Sequence, residues 1–383
     1  MVELAEKKFR KLKFCIILGT RPEIIKLSSI IRFCEENKNM LDYFVLHTGQ
    51  HYSYEMDSLF FEELELPPAK YNLDIGSGSH GRQTGLMLDK IEQVLVLEHP
   101  DFVFVQGDTN TVLAGALAAS KLRIKVCHVE AGLRSYDRDM PEELNRIMAD
   151  NVSDFLFAPT KKAADILKKE GFDKDKIFVT GNTIVDAVLQ NSVLAGKKSK
   201  IISKLKLEKG NYFLVTAHRQ ENVDNEQKLK DLFLAFKALY NKFNVPIIFP
   251  IHPRTSKMMH KFSINPSKGL VLIEPVGFLD FLQLEANAML ILSDSGGVQE
   301  EACILKVPCI TLRKNTERPE TIDVGCNVLA GTNPKYILDY AEEMIAKKTN
   351  WKNPFGSGKS GQRIMEILLN HPSTKLIIRS STR

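Results

Sequence analysis

Short, almost continuously apolar runs alternate with segments of helical periodicity along nearly the whole chain. The runs at 14–18, 43–47, 102–106, 125–129, 155–158 and 177–180 read as one set of strands. Those at 212–217, 247–250, 271–275, 289–293 and 309–312 read as a second set. Segments 81–97, 111–122, 161–169, 227–243 and 297–305 between them carry helical spacing. A strand apolar on both faces must be covered on both faces, and strand–helix–strand order does this in a parallel sheet. The predicted class is therefore α/β, with two parallel sheets separated by the Lys-rich stretch at 195–211, which reads as a linker or crossover helix.

At roughly 100–200 residues per domain, 383 residues are expected to form two domains. We place the first at 1–190, joined by a returning amphipathic C-terminal segment at 362–383, and the second at 191–361. Lys and Arg number 52 against 47 Asp and Glu, a surplus of 5 that leaves no nucleic-acid footprint. It still allows several cations to gather in one phosphate-binding cleft. No run approaches the ~18 apolar residues of a membrane span. The first residues, with Glu3 and Glu6 before a strand-length apolar run, do not read as a signal peptide. The six cysteines lack CxxC spacing, which suits reduced thiols in a cytoplasmic protein, and no Cys/His cluster offers a metal site.

Ligands of open α/β sheets sit where strands end and helices begin. After the first strand, Gly19-Thr20-Arg21-Pro22-Glu23 combines a helix start, with capping-box spacing between Thr20 and Glu23, with the cations Arg21 and Lys26. Asp108 and Glu130 end two strands that are close in sequence. Carboxylates sharing a cleft repel and can move protons near neutrality. A helix cap at Asp108 and a pair between Glu130 and Arg134 explain them equally well. Glu142 and Arg146 have the spacing of an ordinary i,i+4 surface pair as well as of a site pair.

In the second half, His218 and His252 end successive strands, where either can donate to a phosphate or shuttle a proton. Ser295-Gly296-Gly297 opens a helix with glycines that let backbone N–H groups approach a phosphate. Glu301, one turn on, has the reach to accept both hydroxyls of a ribose. Arg318 supplies a bidentate cation. The stretch Gly356-Ser357-Gly358-Lys359-Ser360 looks like the end of a P-loop, but Asn353 stands where the first glycine is required and no strand precedes it.

Nine segments occur in order: GTRPEIIKL (19–27), TGQH (48–51), QGDTNT (106–111), HVEAGLR (128–134), MPEELNR (140–146), TAHRQEN (216–222), IHP (251–253), SDSGGVQEE (293–301) and NTERPE (315–320). In these the chain resembles the non-hydrolysing UDP-N-acetylglucosamine 2-epimerases, from about residue 13 to about 370. The resemblance implies a GT-B fold, two Rossmann-like domains facing a central cleft. It implies a UDP-sugar substrate inverted reversibly at C2 by elimination and re-addition of UDP, with no metal or nicotinamide cofactor. Asp108, Glu130, Glu142 and His218 would be catalytic. Arg21, Lys26, Arg146, His218, Ser295, Gly296, Gly297, Glu301 and Arg318 would bind substrate and UDP. Gln50, Arg82, Gln83, Arg219 and His252 match positions of an effector pocket for a second UDP-N-acetylglucosamine, and the family is usually dimeric. The run His51 to Met56 departs from the commoner pattern, so a modified UDP-sugar such as a diacetamido uronic acid is the alternative substrate. A GT-B glycosyltransferase is the alternative activity.

Overall fold

The computed structural model describes residues 10–50 and 60–374. It divides into two compact units: the described residues up to Ala187 together with those from Phe355 on, and Val188–Pro354.

The first unit is built on β1 (Leu12–Leu18), β2 (Leu41–His47), β3 (Tyr71–Asn72), β4 (Phe102–Gln106), β5 (Lys125–Val129), β6 (Phe155–Ala158) and β7 (Ile177–Val179). All pair parallel, in the order β3-β2-β1-β4-β5-β6-β7. Its helices are α1 (Arg21–Glu36), α2 (His80–Glu98), α3 (Asn110–Lys121), α4 (Pro141–Val152) and α5 (Lys161–Lys169). Phe14 through Leu18 are wholly buried, as are Phe102 through Val105, because helices cover both faces of the sheet.

Helix α6 (Thr183–Lys198) carries the chain into the second unit, so the crossover is helical and starts before the Lys-rich stretch. There, α7 (Ile201–Lys204), α8 (Gln220–Val223), α9 (Glu226–Phe243), α10 (Pro253–Lys261), α11 (Phe278–Ala286), α12 (Gly296–Leu305), α13 (Pro319–Asp323) and α14 (Pro334–Ala346) surround a second sheet. Its strands are β8 (Phe213–Thr216), β9 (Ile247–Pro250), β10 (Leu270–Ile273), β11 (Leu290–Ser293), β12 (Cys309–Thr311) and β13 (Asn327–Leu329), parallel in the order β10-β9-β8-β11-β12-β13. Two Rossmann-like units in one chain bear out the GT-B class. The short strands β3 and β13 were not anticipated, because two or three residues carry no readable period.

Helix α15 (Ser360–Asn370) returns to the first unit and packs on α1. A Cβ on Gly361 would lie 2.4 Å from the Ser29 hydroxyl, so this approach requires glycine. The P-loop-like stretch leads into this helix, which begins at its last residue, Ser360. The Asp186 carboxylate accepts the N–H groups of Ser360 at 3.0 Å and Gly361 at 2.9 Å, and thus caps α15 in the place a phosphate would take in a P-loop.

Candidate active site

In the first unit the strand order reverses between β1 and β4, which is where open α/β sheets bind ligands. Three loops meet the requirement for chemistry there. Strands β4 and β5 are neighbours, so Asp108 and Glu130 do end adjacent strands. Each, however, is held by its own cation rather than by its fellow carboxylate. Lys26 Nζ, from the second turn of α1, donates to Glu130 Oε2 at 2.5 Å, and Gln106 Nε2 donates to the same oxygen at 2.8 Å. Arg146 bridges Asp108 and Glu143, with 2.8 Å to the latter. The expected Glu130–Arg134 pair is absent, since Arg134 is taken by Asp150 at 2.7 Å and by Glu170 at 2.7 Å. The i,i+4 pair of Glu142 with Arg146 is likewise absent. Arg146 chooses the nearer Glu143 one residue on, and Glu142 stays half-buried with no ion-pair partner among the described residues. Asp108 does not cap α3; the Thr109 hydroxyl does, accepting Val112 N–H.

Glu130 is held at φ 73, in the left-handed region that a non-glycine residue enters only under constraint. The constraint is visible, because Glu130 and Ala131 both donate their backbone N–H to Phe157 O. Sequence reasoning missed the group that steadies the Asp108 loop. His128 is wholly buried in β5, with Nδ1 2.7 Å from Asp150 and Nε2 2.9 Å from Gly107 O. Burial opposes charge on this imidazole, yet Asp150 outweighs it and raises the pKa above the usual histidine value. The signal was its place in HVEAGLR, read for the glutamate alone.

Glu23, read from the sequence only as part of a capping box, does more. Its carboxylate accepts from Gly19 N–H at 2.8 Å, Thr20 O–H at 2.9 Å and Thr109 O–H at 2.6 Å, tying the β1 loop to the β4 loop. The capping-box spacing is therefore used in reverse: Thr20 donates to Glu23 and makes no cap bond of its own. Burial pushes the Glu23 pKa up to about 7, against the hydrogen bonds that lower it. Arg21 lies half-buried at the start of α1, its guanidinium 5.6 Å from the Phe60 ring.

In the second unit the order reverses between β8 and β11, and the two loops there carry His218 and Ser295-Gly296-Gly297. Asp294, fully buried, accepts the backbone N–H of His218 at 3.0 Å and of Arg219 at 2.9 Å, which fixes the histidine loop against the glycine loop. The His218 ring lies 5.6 Å from that of His252. Burial lowers the His218 pKa, opposed by Asp294 and reinforced by His252 and Arg219, so the ring is neutral at pH 7. At the start of α12, Ser295 makes no side-chain cap, leaving first-turn N–H groups for a ligand. A Cβ on Gly296 would meet nothing closer than 3.9 Å, nor would one on Gly297. Neither glycine has positive φ, so what they provide is open space above the helix N-terminus. Arg318 Nε stands 2.8 Å from Glu300 Oε1, and Glu301 is buried on the same helix.

The residues matched to an effector pocket divide by exposure. Gln50 and Gln83 are buried and internally bonded: Gln50 Oε1 accepts Thr111 O–H at 2.8 Å, and Gln83 Nε2 donates to Gln50 O at 3.0 Å. Arg82 and His252 are exposed, and Arg219 is half-buried. The departing run His51 to Met56 lies outside the described residues, as do residues 375–383 of the expected C-terminal segment. Among the described residues no group of three or more His, Cys, Asp or Glu is placed to hold a metal ion, and no helix is long and apolar enough to cross a membrane. All six cysteines are buried and unpaired.

Residues 34–369 match the family described as UDP-N-acetylglucosamine 2-epimerase. A UDP-N-acetylglucosamine 2-epimerase of Methanocaldococcus jannaschii is 58% identical over 364 residues, covering 93% of this chain and 99% of that one. A crystal structure of UDP-GlcNAc 2-epimerase from the same organism, in complex with UDP-GlcNAc and UDP, has a TM-score of 0.86 and covers 94% of this chain and 100% of its own. A UDP-2,3-diacetamido-2,3-dideoxy-D-glucuronate 2-epimerase of Pseudomonas aeruginosa is 39% identical over 361 residues, covering 93% of this chain and 99% of that one. The fold and these likenesses define an isomerase of GT-B class. The chain belongs to the UDP-N-acetylglucosamine 2-epimerase family.

Proposed function

We propose that this enzyme interconverts UDP-N-acetylglucosamine and UDP-N-acetylmannosamine by anti elimination of UDP and re-addition through 2-acetamidoglucal. A C2 hydrogen with no neighbouring carbonyl is a poor acid. Breaking the C1–O bond first gives C1 oxocarbenium character and acidifies that hydrogen. The C1–O electron pair leaves on the UDP phosphate oxygen, a carboxylate then takes the C2 proton, and the C2–H pair closes the C1=C2 double bond. In the return step UDP attacks C1 while a proton is delivered to the opposite face of C2.

The observation that carries this reading is the carboxylate set of the first unit. Asp108 pairs with Arg146 and Glu130 with Lys26, and Glu142 has no cation partner among the described residues. Paired carboxylates stabilise the sugar cation, and an unpaired one is the better proton carrier. We assign Glu142 the proton transfer on that ground, with Asp108 and Glu130 in support. Departing UDP would be stabilised by the open N-terminus of α12 at Ser295-Gly296-Gly297, with Arg21, His218 and Arg318 as donors and Glu301 on the ribose.

The identity of 58% to an N-acetylglucosamine enzyme against 39% to a diacetamido-glucuronate enzyme favours the simpler sugar. For a second UDP-N-acetylglucosamine acting as activator, the accessible groups are Arg82, Arg219 and His252. Gln50 and Gln83 would serve it only by holding their loop.

The test is NMR of UDP-N-acetylglucosamine with the purified protein in D₂O. UDP-N-acetylmannosamine carrying deuterium at C2 is expected. No epimer, or an epimer retaining protium at C2, would reject the reading.

A further inference from the structure

One acid of the second unit has no task in the scheme above. Glu285 lies in the last turn of α11, fully buried, with Glu301 buried beside it on α12. Neither carboxyl oxygen of Glu285 meets an N–H or O–H donor among the described residues, and no Lys, Arg or His pairs with it there. Its hydrogen-bonding neighbour is the carboxyl of Glu301. The other titratable groups that feel its charge bring no positive charge. Tyr212, just before β8, donates its hydroxyl to Leu284 O at 2.5 Å, and Cys309 on β12 is a buried thiol.

Two carboxyl groups in contact in such a setting cannot both ionise. The difference between their positions decides which keeps the proton. Glu285 stands at the carbonyl end of its helix, where the dipole disfavours an anion. Glu301 stands in the second turn of α12, nearer an N-terminus. Burial, and after it Glu301, pushes the Glu285 pKa well above the carboxylate range.

The geometry points to Glu285 as a positioning residue that, carrying the proton, donates its O–H to one oxygen of Glu301 and leaves the other, ionised oxygen for the ribose hydroxyls of a uridine nucleotide. This rests on the assignment of Glu301 to the ribose. Without the donor, Glu301 either turns away or takes the proton itself, and in both cases it accepts the diol poorly. The consequence is specificity, in that Glu285 sets how strongly ribose is preferred to 2′-deoxyribose.

Calorimetric titration of the full chain with UDP and with 2′-deoxy-UDP tests this. The wild type is expected to prefer UDP by roughly tenfold or more, as for a hydrogen bond to a charged acceptor. Glu301→Gln should abolish the preference. Glu285→Leu should reduce it to less than about threefold with no fall in melting temperature, since an acid leaves an apolar pocket. Glu285→Met replaces that variant if Leu does not fold. Glu285→Gln, whose amide donates where the O–H did, should restore the preference. If Glu301→Gln abolishes the preference while Glu285→Leu keeps it, or if Gln and Leu at 285 behave alike, the role of Glu285 is overturned. If the wild type has no preference or Glu301→Gln retains one, the ribose assignment falls, and this inference with it.

Discussion

Lys26 Nζ lies 2.5 Å from Glu130 Oε2, joining the second turn of α1 to the end of β5 with both groups buried. Removing one partner of such a pair leaves an uncompensated charge, at a cost of about 3–5 kcal/mol. Lys26→Met is therefore expected to lower stability by that order and turnover by tenfold or more. Adding Glu130→Gln should recover stability without recovering turnover. Urea melts and steady-state rates on the single and double variants check both halves.

Glu142 and Asp108 should separate catalysis from stability. Glu142→Gln removes no ion pair among the described residues, so turnover should fall by roughly 10²-fold or more while the melting temperature holds. Asp108→Asn loses the Arg146 pair, so activity and melting temperature should fall together. Near-wild-type turnover in both would remove the carboxylates from the proton path.

His218 and the open start of α12 are assigned to the leaving group. Gly297→Ala places a methyl group where nothing lies within 3.9 Å, so the fold should tolerate it and gain up to about 1 kcal/mol. UDP affinity should drop tenfold or more because the methyl group occupies the phosphate approach. His218→Asn should cut turnover by roughly 10²-fold through loss of the imidazole N–H donor to the departing phosphate. Titration of UDP and rate measurement decide each; unchanged UDP affinity in Gly297→Ala would move the phosphate elsewhere.

Glu23 makes stability depend on pH in a definite direction. Its pKa is 4.5 as an ordinary glutamate and about 7 in the folded protein. Its contribution is fully present below pH 4.5 and is lost as pH rises toward about 7, because the unfolded chain releases the proton first. A shift of that size corresponds to roughly 3 kcal/mol. Glu23→Gln should flatten this part of the profile, read as unfolding midpoints at pH 4.5 and 7.5 for both proteins. Parallel profiles would show that the carboxyl keeps its ordinary pKa in the folded protein.

The two sheets were legible because parallel strands buried on both faces are apolar without interruption, as Phe14 to Leu18 illustrate. The places of Asp108, Glu130, His218 and Ser295-Gly296-Gly297 after the ends of strands were legible because each follows an uninterrupted apolar run. Which partner each group takes was not. Glu130 reaches Lys26, 104 residues away, rather than Arg134 four residues on. Sequence spacing favours the near partner, and sheet order decides for the far one. His128, Asp150, Asp294 and Glu285 escaped notice for the same reason. Each acts through a neighbouring strand or helix, and nothing in its own segment announces the contact.

The most direct test of the central claim is to quench the enzyme with its substrate at equilibrium and assay for the separated pieces. UDP and 2-acetamidoglucal in equal amounts are expected, together with deuterium at C2 when the solvent is D₂O. Epimerisation with C2 exchange but no UDP and no glucal would contradict cleavage of the C1–O bond.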